Sequence, residues 1–253
     1  MIFRNIMTPK EKAEHFHALN KDGKWKPRDL KKFDVKKRNI EGLGERYYAI
    51  PESREAYERL QSSRGIGIAS WDDMVKKVKG HGLSPFQKQL VQQVNGYAKT
   101  HPVYDNEKGY VEVGFRYPAM MEHFKKKFKF VRGYDIAPPS IAVAQHLGYD
   151  VHLHDISDVG DPIDLKDVRL LCAHEVFEHT PNPIDALTKV YNAADDGMFI
   201  HLSVPLQSGR PKIQFAHLWE FKKGDIEKIL KRVGWNVIKV KKVNHSEVAF
   251  AKK

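Results

Sequence analysis

One cysteine stands among 253 residues. Cys172 excludes an intrachain disulfide and any multi-cysteine zinc site, and its place inside the apolar run VRLLCA marks it as a core residue rather than a nucleophile. Long apolar stretches are missing as well. No run approaches the ~18 residues of a membrane span, and MIFRNIMTPKEK lacks the extended apolar region of a secretory signal, so a cytoplasmic protein with no membrane partner is expected. Internal repeats and low-complexity segments are absent, which excludes a solenoid. What is present is an ordinary soluble composition, 41% hydrophobic, in a chain long enough for one domain with a substantial extension.

Charge is unevenly spread. Residues 1–100 hold 21 Lys+Arg against 12 Asp+Glu, a net +9, whereas residues 101–253 hold 22 against 20, a net +2. The basic excess offers a surface for phosphates or nucleic acid; a solvated, lysine-rich surface with no specific partner is the alternative, since acids interleave with the lysines. Composition turns loop-like around His81 to Ser84, and the chain is divided there. Residues 1–83 are read as a basic, mainly helical extension, with helices expected at Pro9–Asn20 and 53–61, a short strand near RGIGIAS, and a helix from Ser70 to Gly80. Residues 84–253 are read as the main domain.

That domain opens with a helix capped by Ser84, PFQKQLVQQVNGYAK, whose Phe86, Leu90, Val91, Val94 and Tyr97 form one apolar stripe. Strands and helices then alternate. Val111 to Val113 is a β-branched run ending in Gly114, followed by a helical pattern of Met120, Met121, Phe124 and Phe128. A second strand ends at Asp135, 21 residues beyond Gly114, close to the ~20 expected between a phosphate-loop glycine and a ribose-binding acid. A third unit runs from Pro138 through Gly148 to a strand ending at Asp155. Val168 to Ala173 is a continuous apolar run typical of a strand covered on both faces, and it leads into HEVFEHTPNP. A helix, the strand GMFIHLSVP, a long loop into FAHLWEF, a further helix and a closing antiparallel pair complete the chain. This order predicts a three-layer, mostly parallel α/β sheet of Rossmann type with an antiparallel strand near its carboxyl terminus.

Taken together, VEVG, GYDIAPPSIAVA, HEVFEH, the strand into LSVP and HLWEFKKGDIEKILKRVGWNVIKV resemble the class I S-adenosylmethionine (SAM) dependent methyltransferases. The similarity is greatest to a small-molecule branch whose fourth strand runs into a Glu-His pair, and it covers about Ser84 to Ala251. It implies SAM as cofactor and S-adenosylhomocysteine as product. By position it places Glu112 and Gly114 on the acid and first glycine of the first-strand motif and Asp135 on the ribose. Ile136 falls against the adenine ring, Asp155 at the adenine amino group, and His174 and Glu175 where methionine and acceptor meet. The chain departs from the family in its first loop, Gly114-Phe115-Arg116-Tyr117-Pro118, where further glycines are usual. Arg116 is the candidate to hold the cofactor carboxylate in their stead; loss of cofactor binding, with the fold kept as a scaffold, is the alternative.

Methyl transfer needs mainly near-attack positioning of methyl and acceptor. A base assists if the acceptor is a hydroxyl, and His174, Glu175, His179 and His217 are its candidates. HEVFEH is not a zinc helix, because its histidines are five apart rather than four, and no metal is expected. A small-molecule oxygen or nitrogen acceptor is the expected substrate, with a nucleic acid docked on the basic segment as the alternative. Neither an Asn-Pro-Pro-Tyr or Asp-Pro-Pro-Tyr motif after the fourth strand nor a Pro-Cys nucleophile is present, which argues against the usual DNA methylations.

Overall fold

The computed structural model describes residues 33–54, 57, 71–207 and 216–253. The expected helix at Pro9–Asn20 and the strand at RGIGIAS lie outside them, as does most of the helix at 53–61, of which Arg54 and Tyr57 are described and helical.

The centre is a seven-stranded sheet in the order β5-β4-β3-β6-β7-β9-β8. Its strands are β3 (Gly109–Val113), β4 (Val131–Asp135), β5 (Val151–Leu153), β6 (Val168–His174), β7 (Phe199–Pro205), β8 (Asn236–Val243) and β9 (Ser246–Lys252). From β5 to β7 all neighbours pair in parallel, and β9 runs antiparallel between β7 and β8. Strand alternation divides the core into two faces. Val111, Val113, Leu171 and Ala173 pack with Ala186, Leu187 and Val190 of α5 (Pro183–Ala193) and with Ile226, Ile229 and Leu230 of α6 (Asp225–Val233). Tyr110, Leu170 and Cys172 face the other way, onto Val91 and Val94 of α2 (Pro85–Tyr97) and onto Met120, Met121 and Phe124 of α3 (Ala119–Phe124). Ile141 and Ala144 of α4 (Pro138–His146) complete that layer. This is the predicted three-layer α/β sheet.

Local signals explain the helix that opens the domain. Ser84 Oγ accepts from Gln87 N at 3.1 Å while Gln87 Oε1 accepts from Ser84 N at 3.0 Å, a reciprocal cap. α1 (Trp71–Lys79) precedes it and buries Met74 and Val78 against Tyr117, Ala142 and Val143.

The described part of the extension holds two strands as well as the helix α1. Phe33–Ile40 (β1) and Gly44–Pro51 (β2) form an antiparallel hairpin, closed by a turn with Gly42 and Gly44 at positive φ. The charge-rich text hides it because the hairpin is held from far away. Arg46 Nε and Nη2 donate to Asp225 Oδ2 and Oδ1 at 2.6 and 2.5 Å, both residues being buried. Ala49 N donates to Leu218 O at 2.7 Å, and Glu220 N to Tyr47 O at 3.1 Å. The hairpin therefore uses the 218–220 segment as a further partner.

Candidate functional site

Parallel order reverses between β3 and β6, and ligands of such sheets bind beyond the carboxyl ends of the strands at that switch. A cavity of about 450 Å³ lies there. The ends of β3, β4 and β6 supply Glu112, Gly114, Asp135 and His174, and the adjoining loops add Arg116, Ile136, Glu175 and His179. Thus eight of the residues singled out in the sequence meet in one cavity.

Gly114 has φ +70°, and a Cβ on it would sit 2.5 Å from Val176 Cγ2. Both backbone conformation and space demand glycine here. The loop that follows does not depend on further glycines. Phe115 is buried in the core layer beneath α2 and α3, and Tyr117 anchors α1 and stacks on His81 with ring centroids 4.0 Å apart. Large side chains buried on either side give this loop its shape, which accounts for its departure from a glycine-rich pattern. Tyr117 and His81 are cavity residues that the sequence reading did not select.

Asp135 closes the loop from the other side. Its Oδ2 accepts from Arg116 N at 2.9 Å and its Oδ1 from Ala137 N at 2.8 Å. Burial raises its pKa, and these backbone donors oppose the rise. Arg116 adopts φ +46° to make this contact, and its guanidinium lies 5.4 Å from the centroid of the Tyr117 ring. Glu112 is only 4% exposed, and burial pushes its carboxyl up to about 8, with the Asp135 charge adding to the effect.

Asp155 is placed otherwise. It is buried beside the cavity, where Oδ1 accepts from Ser157 N at 2.8 Å and from Ser157 Oγ at 2.7 Å, and Oδ2 pairs with Arg54 at 2.7 Å. Its neighbours His154 and Ile156 line the cavity, as does Tyr57.

On the β6 side, His174 Nε2 is 3.0 Å from His201 Nδ1. Burial first, and the neighbouring ring second, hold the pKa of His174 well below the ordinary value, so at neutral pH it is an uncharged, weakly basic ring. Glu175 has φ +55°, its N–H donates to Ser203 O at 3.0 Å, and Ser203 Oγ donates to its Oε1 at 2.9 Å. Strained backbone of this kind concentrates at functional sites. His179 leaves the short 3-10 turn after β6, and His217 arrives from the segment under the hairpin. Their rings are 4.9 Å apart, beside the fully buried Glu178. His217 itself stands behind His179 rather than among the cavity-lining residues.

Strand order, cavity position and the acid at the end of β4 together decide the architecture. The fold is that of the SAM-dependent methyltransferases. Solved structures of similar fold include a SAM-dependent methyltransferase from Aquifex aeolicus, 14% identical, with a TM-score of 0.51 over 70% of this chain and 97% of that one. Magnesium protoporphyrin IX methyltransferase from Synechocystis, solved with bound SAM, is 16% identical with a TM-score of 0.51 over 78% and 96%. The cyclase SpnF is 10% identical with a TM-score of 0.56 over 72% and 92%. No protein-family model matches the sequence, and no curated protein does. This methyltransferase fold thus carries more than one chemistry among its relatives in shape, and function rests on the site. No described helix is long and apolar enough to cross a membrane.

Proposed function

We propose that the chain is a SAM-dependent methyltransferase acting on an oxygen or nitrogen of a small-molecule acceptor, in the manner of the Glu-His branch. The observation that carries this reading is the cavity at the sheet's switch point, with Gly114 leaving room at its floor and the buried Asp135 carboxylate at the end of β4. Asp135 keeps lone pairs beyond those used by Arg116 N and Ala137 N, and these take the ribose hydroxyls. Ile136 lies against the adenine, with Asp155 acting through the loop it braces. The exposed Arg116 supplies positive charge at the rim for the cofactor carboxylate. The acceptor enters beside Glu175 and His179.

Calorimetry with S-adenosylhomocysteine tests this. Wild-type protein binds one equivalent, and Asp135→Ala loses roughly 1.5–3 kcal/mol, the range for hydrogen bonds to a charged group. Absence of binding by the wild type, or equal binding by the variant, refutes the assignment. The +9 amino-terminal excess favours a second reading, a nucleic-acid acceptor, which predicts affinity falling with salt at a slope of about −0.7 to −0.9 per phosphate contact.

A further inference from the structure

We infer that Glu178, His179 and His217 form a binding site for one divalent first-row transition-metal cation at the acceptor side of the cavity. One carboxylate oxygen and two imidazole nitrogens lie within 4.8 Å of one another. His179 Nε2 is 3.4 Å and His217 Nε2 is 4.0 Å from Glu178 Oε1. Three ligands each about 2.1 Å from a shared cation stand about 3–3.5 Å apart, so His217 must draw in from 4.0 Å by roughly 0.5–1 Å for the set to close. Two imidazoles and one carboxylate suit iron, cobalt, manganese or zinc, and leave further coordination positions open.

The surroundings orient the ligands. The Ala216 carbonyl can only accept, so His179 Nδ1, 2.8 Å away, donates to it. In the neutral ring this leaves the lone pair on Nε2, the atom turned toward Glu178. His217 Nδ1 lies 2.6 Å from the Gln207 carboxamide; with the amide oxygen turned to Nδ1–H, the second ring presents Nε2 in the same way. Metal-bound histidines are held by such outer contacts. The frame is built independently of the cation, since Leu218 N and Trp219 N both donate to Glu178 O, at 2.6 and 3.1 Å. Spacing within HEVFEH excludes a single-helix site, but the third ligand here comes from 38 residues further along the chain.

Of the three ligands His179 alone is among the residues lining the cavity, so the cation site borders the cavity through that ring.

The test is titration of chelator-stripped, full-length protein with Co²⁺, followed by visible absorption and by Mn²⁺ competition. Wild type takes up one Co²⁺ with a spectrum of nitrogen ligation. His217→Ala and Glu178→Gln each weaken uptake by more than about tenfold while still binding S-adenosylhomocysteine, and Asp135→Ala does the reverse. No Co²⁺ spectrum in the wild type overturns the site whatever the variants do, and so does an unchanged spectrum in His217→Ala. Absence of S-adenosylhomocysteine binding by the wild type, with Co²⁺ uptake intact, overturns the cofactor reading alone. Should His217→Ala fail to fold, His217→Gln replaces it with the same expected loss.

Discussion

Replacing Glu112 with glutamine should make the protein more stable, and increasingly so as pH rises. The carboxyl is buried in the cavity wall, and its pKa moves from the ordinary 4.5 to about 8 in the folded chain. Folding therefore binds a proton throughout that window, and stability drops with rising pH because the unfolded state holds fewer protons. Each pH unit removes about 1.36 kcal/mol at full effect, so the whole window is worth roughly 5 kcal/mol. Glutamine keeps the shape and cannot ionise. Relative to wild type, Glu112→Gln should thus gain about 3–4 kcal/mol between pH 5 and pH 8. For a chain of this length that corresponds to roughly 6–15 °C in Tm. The assay is thermal unfolding of ligand-free wild type and variant at half-unit pH steps. A difference in Tm that is the same at pH 5 and pH 8 refutes the reasoning, since it would mean that Glu112 ionises in the folded state as readily as in the unfolded one.

Three other outcomes are expected. Arg46→Met should destabilise the fold by about 3–5 kcal/mol in chemical denaturation, because it leaves the buried Asp225 carboxylate without its bidentate partner; a loss below about 1 kcal/mol would contradict this. Gly114→Ala should cost roughly 1–2 kcal/mol from its left-handed backbone alone, and adding Val176→Ala should relieve only the steric part, so the double variant remains less stable than Val176→Ala by that amount. Labelled RNA and DNA should bind only weakly at physiological salt, and nucleic-acid affinity that survives it would move the acceptor reading from small molecule to polynucleotide.

The sheet was legible in the sequence because its information is local. The β-branched run Val111–Val113, the continuous run Val168–Ala173 and the Ser84–Gln87 cap each act within a few residues. The convergence of strand-end residues on one cavity was legible for the same reason, since a parallel strand delivers its last side chains to one edge of the sheet. What stayed hidden depends on distance along the chain. Arg46 meets Asp225 across 179 positions, so nothing local marked Phe33–Pro51 as a hairpin within the basic extension. Phe115 and Tyr117 looked like intrusions into a glycine loop, and only the positions of α1, α2 and α3 show them to be its anchors. Asp155 carried the right signal of an acid at a strand end, but Arg54 and Ser157 engage it from the side, and no spacing rule foretells that.

The 218–220 segment has bonds on both flanks, to the hairpin through Tyr47 and Ala49 and to the turn after β6 through Glu178 O. It behaves as a keystone. Deleting the residues before Ser84 takes away one of its two supports and leaves Asp225 buried without Arg46, so a shortened chain tests folding before it tests ligand preference. Questions about what the basic segment recognises are better put by reversing exposed charges such as Lys36 and Lys37, which alter the field at the surface and leave the arch standing.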